Sequence, residues 1–444
     1  MIELTGWGRY PRHSSDLVTP ANPTALPSAM AGRTGFVARG NGRAYGDAAI
    51  GERLTLSTNR LDRIRAFDPA TGRLTAEAGV LLADLLSAFV PRGLFPPVVP
   101  GTKFVTLGGM IAADVHGKNH HREGGFGEHV EALTLALPSG ETAVCSRNEN
   151  VELLDATIGG MGLTGTILEA TFRLRLIETG WMRQKTVVAP DLDRAVEALR
   201  ETDASTYTVA WIDCLARGAS LGRSLIYAAE HATLAEVEAF RPGAERFPPA
   251  KLGRLTMPFD LPTLTLNRIS VAAFNELYFR RGSAQAGGPL LVPWDPYFFP
   301  LDGVGSWNRI YGRRGFLQYQ CVVPTGPARA VLGEILERVS RHGIASFLAV
   351  LKQLGAGRGT LSFPLEGFTL ALDIPVADRV FPLLDELDAL VVKAGGRLYL
   401  AKDARQSRAT FEAGYPGLGR FREVRRDVGA AGRISSRLSA RLGI

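Results

Sequence analysis

Three glycine-rich stretches crowd the first two-fifths of this chain, at residues 39–47, 100–109 and 158–167, each beside a short apolar run. Glycine at that density disfavours helix by roughly 1 kcal/mol per residue relative to alanine. The stretches are therefore predicted as loops, and loops so bare let main chain lie directly against a ligand. Residues 39–47 read Arg-Gly-Asn-Gly-Arg-Ala-Tyr-Gly-Asp after an apolar strand at 36–38. That order matches neither the GxGxxG-then-helix of a dinucleotide fold nor the GxxxxGK[ST] of a P-loop. Three such loops at strand or helix junctions are more than ordinary turns require.

The middle stretch runs on into Asp114-Val115-His116-Gly117-Lys118-Asn119-His120-His121. A metal tract is one reading, because His116 and His120 have i, i+4 spacing. Gly117 and Asn119 argue against a helix between them, and no cysteine is near, so no metal is expected. The remaining reading is a segment that wraps something flat and charged.

Composition narrows the classes. The 444 residues, 45% hydrophobic and 21% charged, suit a soluble globular protein of two or three domains. Residues 1–16 have no apolar leader and no apolar run approaches ~18 residues, so a cytoplasmic location is expected. Cys145, Cys214 and Cys321 are too far apart for a ligand motif and are expected to be buried thiols. The net charge of +7 comes without basic runs interleaved with aromatics, so no nucleic-acid partner is expected. A solvated arginine-rich surface explains the charge, and a phosphate-bearing or membrane-held partner is the sharper alternative.

Periodicity predicts strands at 53–57, 74–78, 132–137, 142–145 and 167–176, with helices at 80–90 and 152–157. After residue 176 the glycine clusters stop. Alternation then predicts strands at 207–213, 316–323 and 369–374, with helices at 191–201, 328–341 and 379–393.

With these loops in place, the chain resembles the FAD-binding flavoproteins of the vanillyl-alcohol-oxidase type. More narrowly, Gly6-Trp7-Gly8-Arg9, residues 116–121, Trp307-Asn308-Arg309, residues 315–320, Leu361-Ser362-Phe363-Pro364 and residues 396–403 resemble the decaprenylphosphoryl-β-D-ribose 2′-oxidase family. The resemblance covers nearly the whole chain in the same order. It implies an α+β fold, in which a two-subdomain FAD-binding domain (1–178 and 397–444) is joined to a substrate domain (179–396) built on an antiparallel sheet flanked by helices. It further implies FAD-dependent oxidation of the 2′-hydroxyl of a polyprenylphosphoryl ribofuranose to the 2-keto sugar. A separate NAD-dependent keto-reductase would complete the epimerisation to the arabinose donor of a cell wall. The alternative is the same flavin chemistry on a soluble sugar, nucleoside or aldonolactone.

Residue by residue, the resemblance puts Lys402, His116 and Tyr45 at the catalytic centre. Lys118, Gln318, Gln320, Lys352, Tyr399 and Trp211 fall on the substrate side. FAD would lie against Arg39, Gly40, Asn41, Gly42, Arg43, Ala44, Tyr45, Gly101, Thr102, Gly108, Gly109, Ala113, His116, Gly117, Asn119, Gly162, Gly165, Ile167, Tyr399 and Lys402. Two departures carry consequences. Arg43 and Ala44 stand where many members of the wider superfamily have a flavin-linking histidine, so the FAD is expected to be non-covalent. Thr369 and Ala371 stand where the mycobacterial enzymes have an asparagine and a cysteine. The Pro- and Gly-rich region 244–300 is expected to be long and irregular, and by the resemblance to hold mobile loops over the site with peripheral membrane contact.

Overall fold

The computed structural model describes residues 1–250, 255–262 and 265–444. Within region 244–300, residues 251–254 and 263–264 thus lie outside the described residues.

Three sheets of at least four strands organise the fold. In the first, Ile2–Thr5, Arg12–Val18, Leu54–Ser57 and Phe36–Arg39 lie in that order, the last three parallel. Val37 pairs with Thr55 and Arg39 with Ser57, so the strand ends where the loop at residues 40–47 begins. The second is a five-stranded antiparallel sheet centred on Thr166–Arg173. The helix Leu82–Phe89 buries Leu82, Leu85, Leu86 and Phe89, and the short helix Leu107–Ala112 contacts Thr166–Arg173. These pieces share one apolar core with the C-terminal helices, through Phe411, Phe421, Val424 and Leu438.

The third sheet has eight antiparallel strands and runs from Leu290–Pro293 at one edge to Arg397–Leu398 at the other. Successive side chains on a strand point to opposite faces. That single rule sorts the sheet into an apolar and a reactive face. Leu351, Leu370, Leu372, Ile226 and Ala210 join a core with Leu192–Glu201, Ala328–Arg341 and Val380–Lys393. Their neighbours Lys352, Thr369, Ala371, Tyr227 and Trp211 line a cavity on the other side. The α+β class is as expected, and the predicted strands and helices fall within two or three residues of the observed ones.

Region 244–300 departs from the expected irregular loop. It contains the sixteen-residue helix Arg268–Ser283, started by Asn267, whose side chain accepts from the amides of Ile269 and Ser270. The helix was hidden because apolar side chains surround it on all sides, which leaves no amphipathic stripe to detect.

Candidate active site

A cavity of about 620 Å³ lies between the glycine loops and the reactive face of the large sheet. Its first wall is bare main chain. Gly40, Gly42, Gly101, Gly108, Gly109, Gly117, Gly162 and Gly165 line it, with Ala44 and Ala113 among them. At Gly40 a methyl group would come within 2.1 Å of the Thr106 hydroxyl, and at Gly108 within 2.9 Å of the Ala78 methyl. At Gly101 it would meet nothing within 4 Å and would occupy cavity space. The glycines therefore keep clear a broad slot walled by peptide groups, which fits a flat cofactor lying along them. Thr106 fixes the slot's curvature by capping Leu107–Ala112, its hydroxyl accepting from the Gly109 amide. Asn41, Arg43, Tyr45, Thr102 and Ile167 complete this wall. The Arg43 guanidinium lies 3.8 Å above the Trp7 ring.

Two residues expected on this wall stand behind it. Arg39 is not in the cavity lining, because its guanidinium turns away to donate to the Thr5 and Ala49 carbonyls. Asn119 is fully buried and donates to the Pro97 carbonyl, holding the turn beyond His116 and Lys118. Both support the loops without facing the cavity.

The opposite end is crowded with polar groups. Gln318, Gln320, Lys352, Trp211, His116, Lys118, Tyr399 and Lys402 all face it. Gln320 donates through Nε2 to His116 Nε2 at 3.0 Å and to the Thr369 hydroxyl at 3.2 Å. An imidazole that accepts at Nε2 carries its proton on Nδ1, and Nδ1 has no partner in the protein. Burial holds His116 well below its ordinary pKa, with Lys352, His120 and Lys402 adding to the effect. It is thus a neutral hydrogen-bond donor. Tyr399 donates to the Ala113 carbonyl at 2.8 Å and stacks on Phe363 at 4.5 Å.

Three lysines converge here from separate segments. Burial pushes Lys118 down to about 7, helped by Lys352, and Lys352 itself down to about 8. Lys118 donates to the Tyr297 carbonyl and lies 4.1 Å from that ring's centre. The Lys402 ammonium sits 3.7 Å from the centre of the Tyr45 ring. Burial lowers its pKa, while nearby Asp373 opposes the shift. Asp373 is a site residue that sequence reasoning did not single out. It is fully buried, accepts from Gln318 Nε2 at 2.5 Å, and has its pKa raised by burial. Its signal was its place two residues beyond Ala371 on the same strand face. Asp302 was also missed; it accepts from the Thr102 hydroxyl and the Lys103 amide, tying the 294–307 segment to the cofactor wall.

The three histidines of the 116–121 stretch do not converge on a common point. His120 accepts from the Gly355 amide at 3.1 Å, and His121 pairs with the Ser205 carbonyl at 2.9 Å. Among the described residues, no group of three His, Cys, Asp or Glu side chains is placed to hold a metal.

The FAD binding domain family matches residues 18–146, which makes the slot of glycines opening onto lysines, a neutral histidine and amides the site of a flavin-dependent oxidoreductase. Over 99% of its length the chain is 35% identical to decaprenylphosphoryl-β-D-ribose oxidase of Mycolicibacterium smegmatis, covering 97% of that protein. The chain belongs to that oxidase's family. It is also 37% identical to an uncharacterized protein of Streptomyces coelicolor, over 82% of this chain and all of that one. L-gulonolactone oxidase of Scyliorhinus torazame is 31% identical over only 35% of this chain and 36% of its own.

Proposed function

We propose that this protein oxidises the 2′-hydroxyl of a polyprenylphosphoryl-β-D-ribofuranose to the 2-keto sugar, using non-covalently bound FAD. The observation that carries the reading is the cluster of Lys118, Lys352 and Lys402 at the end of the glycine slot. A partly desolvated group of cations favours an anion, and a sugar phosphate supplies one beside the hydroxyl to be oxidised. Kinship to a whole-length relative named for a decaprenylphosphoryl ribose supports it, whereas the lactone oxidases match only about a third of the chain.

The division of labour follows from the two faces. Residues 1–178 with 397–444 hold the FAD, and 179–396 bind the sugar; two apolar cores, one drawn mainly from the first set and joined by Trp294, Phe298 and Phe363, the other drawn mainly from the second, support this division. FAD held along the glycine loops of residues 40–45, 101–109 and 162–167 would supply the hydride acceptor. Lys402 stabilises negative charge or takes the hydroxyl proton, because its lowered pKa leaves a neutral amine accessible near neutral pH. The Tyr45 ring packs against that amino group. His116 offers its Nδ1–H, held in that tautomer by Gln320. Gln318, Gln320 and Tyr399 orient the ring hydroxyls, Lys118 and Lys352 take the phosphate, and Trp211 borders the path of the tail. A separate NAD-dependent reductase would consume the ketone, and a substrate with such a tail would bring the protein to a membrane surface. No helix among the described residues is long and apolar enough to cross one.

The test is anaerobic bleaching of the bound flavin by polyprenylphosphoryl ribose against free ribosides and lactones. Bleaching by the phospholipid sugar alone is expected; equal bleaching by a soluble lactone or riboside would overturn the reading.

A further inference from the structure

Two aspartates close the segments that carry the site, Asp47 the first glycine loop and Asp403 the stretch of Lys402, and neither lines the cavity. The two segments lie main chain against main chain. The Tyr45 amide donates to the Ala401 carbonyl at 2.9 Å, and a methyl at Gly46 would come within 1.9 Å of the Asp403 carbonyl oxygen. Lys402 sits in a tight turn, its amide and that of Asp403 both donating to the Tyr399 carbonyl. Only the two-residue strand Arg397–Leu398 precedes that turn. So short a strand leaves the position of the Lys402 amine to whatever braces the turn from outside.

That brace comes from the last helix, Arg437–Leu442, which Ser436 caps by accepting from the Ser439 amide and which buries Leu438 and Leu442. Its Arg441 guanidinium donates through Nε and Nη2 to the two oxygens of Asp47, at 3.4 and 3.0 Å. Through Nη1 it donates to Asp403 at 3.0 Å and to the Gln406 carbonyl at 2.8 Å. The other Asp403 oxygen accepts from the amides of Arg405 and Gln406. Both carboxylates are buried. Burial raises the pKa of Asp47, Asp403 adds to the rise, and Arg441 opposes it. Two buried carboxylates this near each other need a cation between them. Of the other basic groups nearby, His13 stands 4.0 Å from Asp47, Arg405 is taken by Asp385 and Asp388, and Arg437 donates to the Ser14 and Glu52 carbonyls. Among the described residues, Arg441 is thus the cation bonded to both aspartates, and the rigid fork of a guanidinium is what lets one side chain span them.

We propose that Arg441 is a positioning residue for the oxidation: by gripping Asp47 and Asp403 at once it locks the Lys402 turn to the first glycine loop, and so fixes where the Lys402 amine stands beside Tyr45 and the slot. The inference rests on the role given to Lys402 above. A misplacement of about 1 Å at a reacting group can cost about a hundredfold in rate. Lys118 and Lys352 reach the cavity from other segments, so the phosphate end should not feel the change.

The test is a double-mutant cycle on the FAD-loaded full chain, Arg441→Lys against Lys402→Met. Lysine keeps a cation between the carboxylates and loses the fork. Two quantities are read: the reduction potential of the bound flavin with no substrate present, and the rate of anaerobic bleaching by saturating polyprenylphosphoryl ribose. A cation held near the ring favours its reduced, anionic form. Arg441→Lys should therefore make the potential more negative and slow bleaching about 10- to 100-fold, with the half-saturating substrate concentration within about twofold of wild type. In the Lys402→Met background the same substitution should change neither quantity, because the group it acts through is gone. Flavin content should stay at the wild-type level, since Asp47, Asp403 and Arg441 do not line the slot. Unchanged potential and bleaching in Arg441→Lys, or an equal further drop in the Lys402→Met background, overturns the inference. So does loss of flavin from Arg441→Lys, which would make Arg441 a prop for the cofactor and not for the lysine. If Arg441→Lys does not fold, Asp403→Asn takes its place with the same expected signs; it keeps an oxygen for the two amides and loses the charge that Arg441 grips. If Lys402→Met matches wild type in both readouts, the role of Lys402 falls and this inference with it. If polyprenylphosphoryl ribose fails to bleach the wild-type flavin, the proposed substrate is wrong, and the potentials alone decide the role of Arg441.

Discussion

Replacing Lys352 by methionine separates phosphate recognition from the rest of the chemistry. The side chain keeps its length and loses its charge, and Thr369 across the ladder is unaffected in register. A charge-assisted contact to a phosphate contributes about 1.5–3 kcal/mol, so KM for a phosphorylated riboside should rise about 10- to 150-fold. KM for the same riboside without phosphate should stay within about twofold, because no charged contact is lost. The pH dependence gives a second, opposite-signed reading. Burial lowers Lys352 from 10.5 to about 8, so its charge, and with it phosphate affinity, is lost as pH rises through 8. The unfolded lysine stays protonated to about 10.4, so between these values the unfolded chain binds more protons and the apoprotein gains stability as pH rises. From that shift the gain is up to about 3 kcal/mol, and it is absent below pH 8, where both states are protonated. The Met variant should lose both trends: it should be more stable than wild type at neutral pH, with a flatter stability profile from pH 8 to 10. Steady-state kinetics on the paired substrates, with urea unfolding of the apoprotein across pH, measures all of this. An equal KM rise for the phosphate-free riboside, or an unchanged stability profile, would refute the argument.

Three further outcomes follow from the cofactor wall and the missing thiol. Gly40→Ala places a methyl 2.1 Å from the Thr106 hydroxyl; overpacking of that kind costs about 1–3 kcal/mol, and flavin content after purification should drop about tenfold or more while circular dichroism stays native. With Arg43 and Ala44 in the first glycine loop, acid precipitation should release all the yellow colour, and colour in the pellet would contradict a non-covalent flavin. With Thr369 and Ala371 on the cavity wall, and burial pushing Cys145, Cys214 and Cys321 up to about 12, a nitroaromatic compound that traps thiols should leave no adduct in the intact mass.

What the sequence reveals and what it hides divide along physical lines. The glycine loops were legible because backbone freedom is a property of the residue itself. The strands at 316–324 and 367–375 were legible because an antiparallel sheet with one reactive and one apolar face writes a two-residue period into the chain. Arg39 and Asn119 look like cofactor contacts in sequence, since each adjoins a residue that lines the cavity; which way such a side chain turns depends on partners such as Thr5 and Pro97, well separated in sequence. Asp373 was missed for a related reason. A single aspartate near a strand end reads as a solvated edge, and only burial beside Gln318 and Lys402 makes it chemical. The lysines make the same point more strongly. Lys118 follows a glycine loop, Lys352 sits mid-strand and Lys402 follows the last strand of the sheet. Nothing in their spacing announces a cluster, yet Lys352 lowers the pKa of both other lysines and of His116. The chemistry proposed for the site is thus a property of the meeting of the two halves: the loops supply a place for a flat ring, and the sheet supplies cations whose proton affinity is set only once the cavity closes around them.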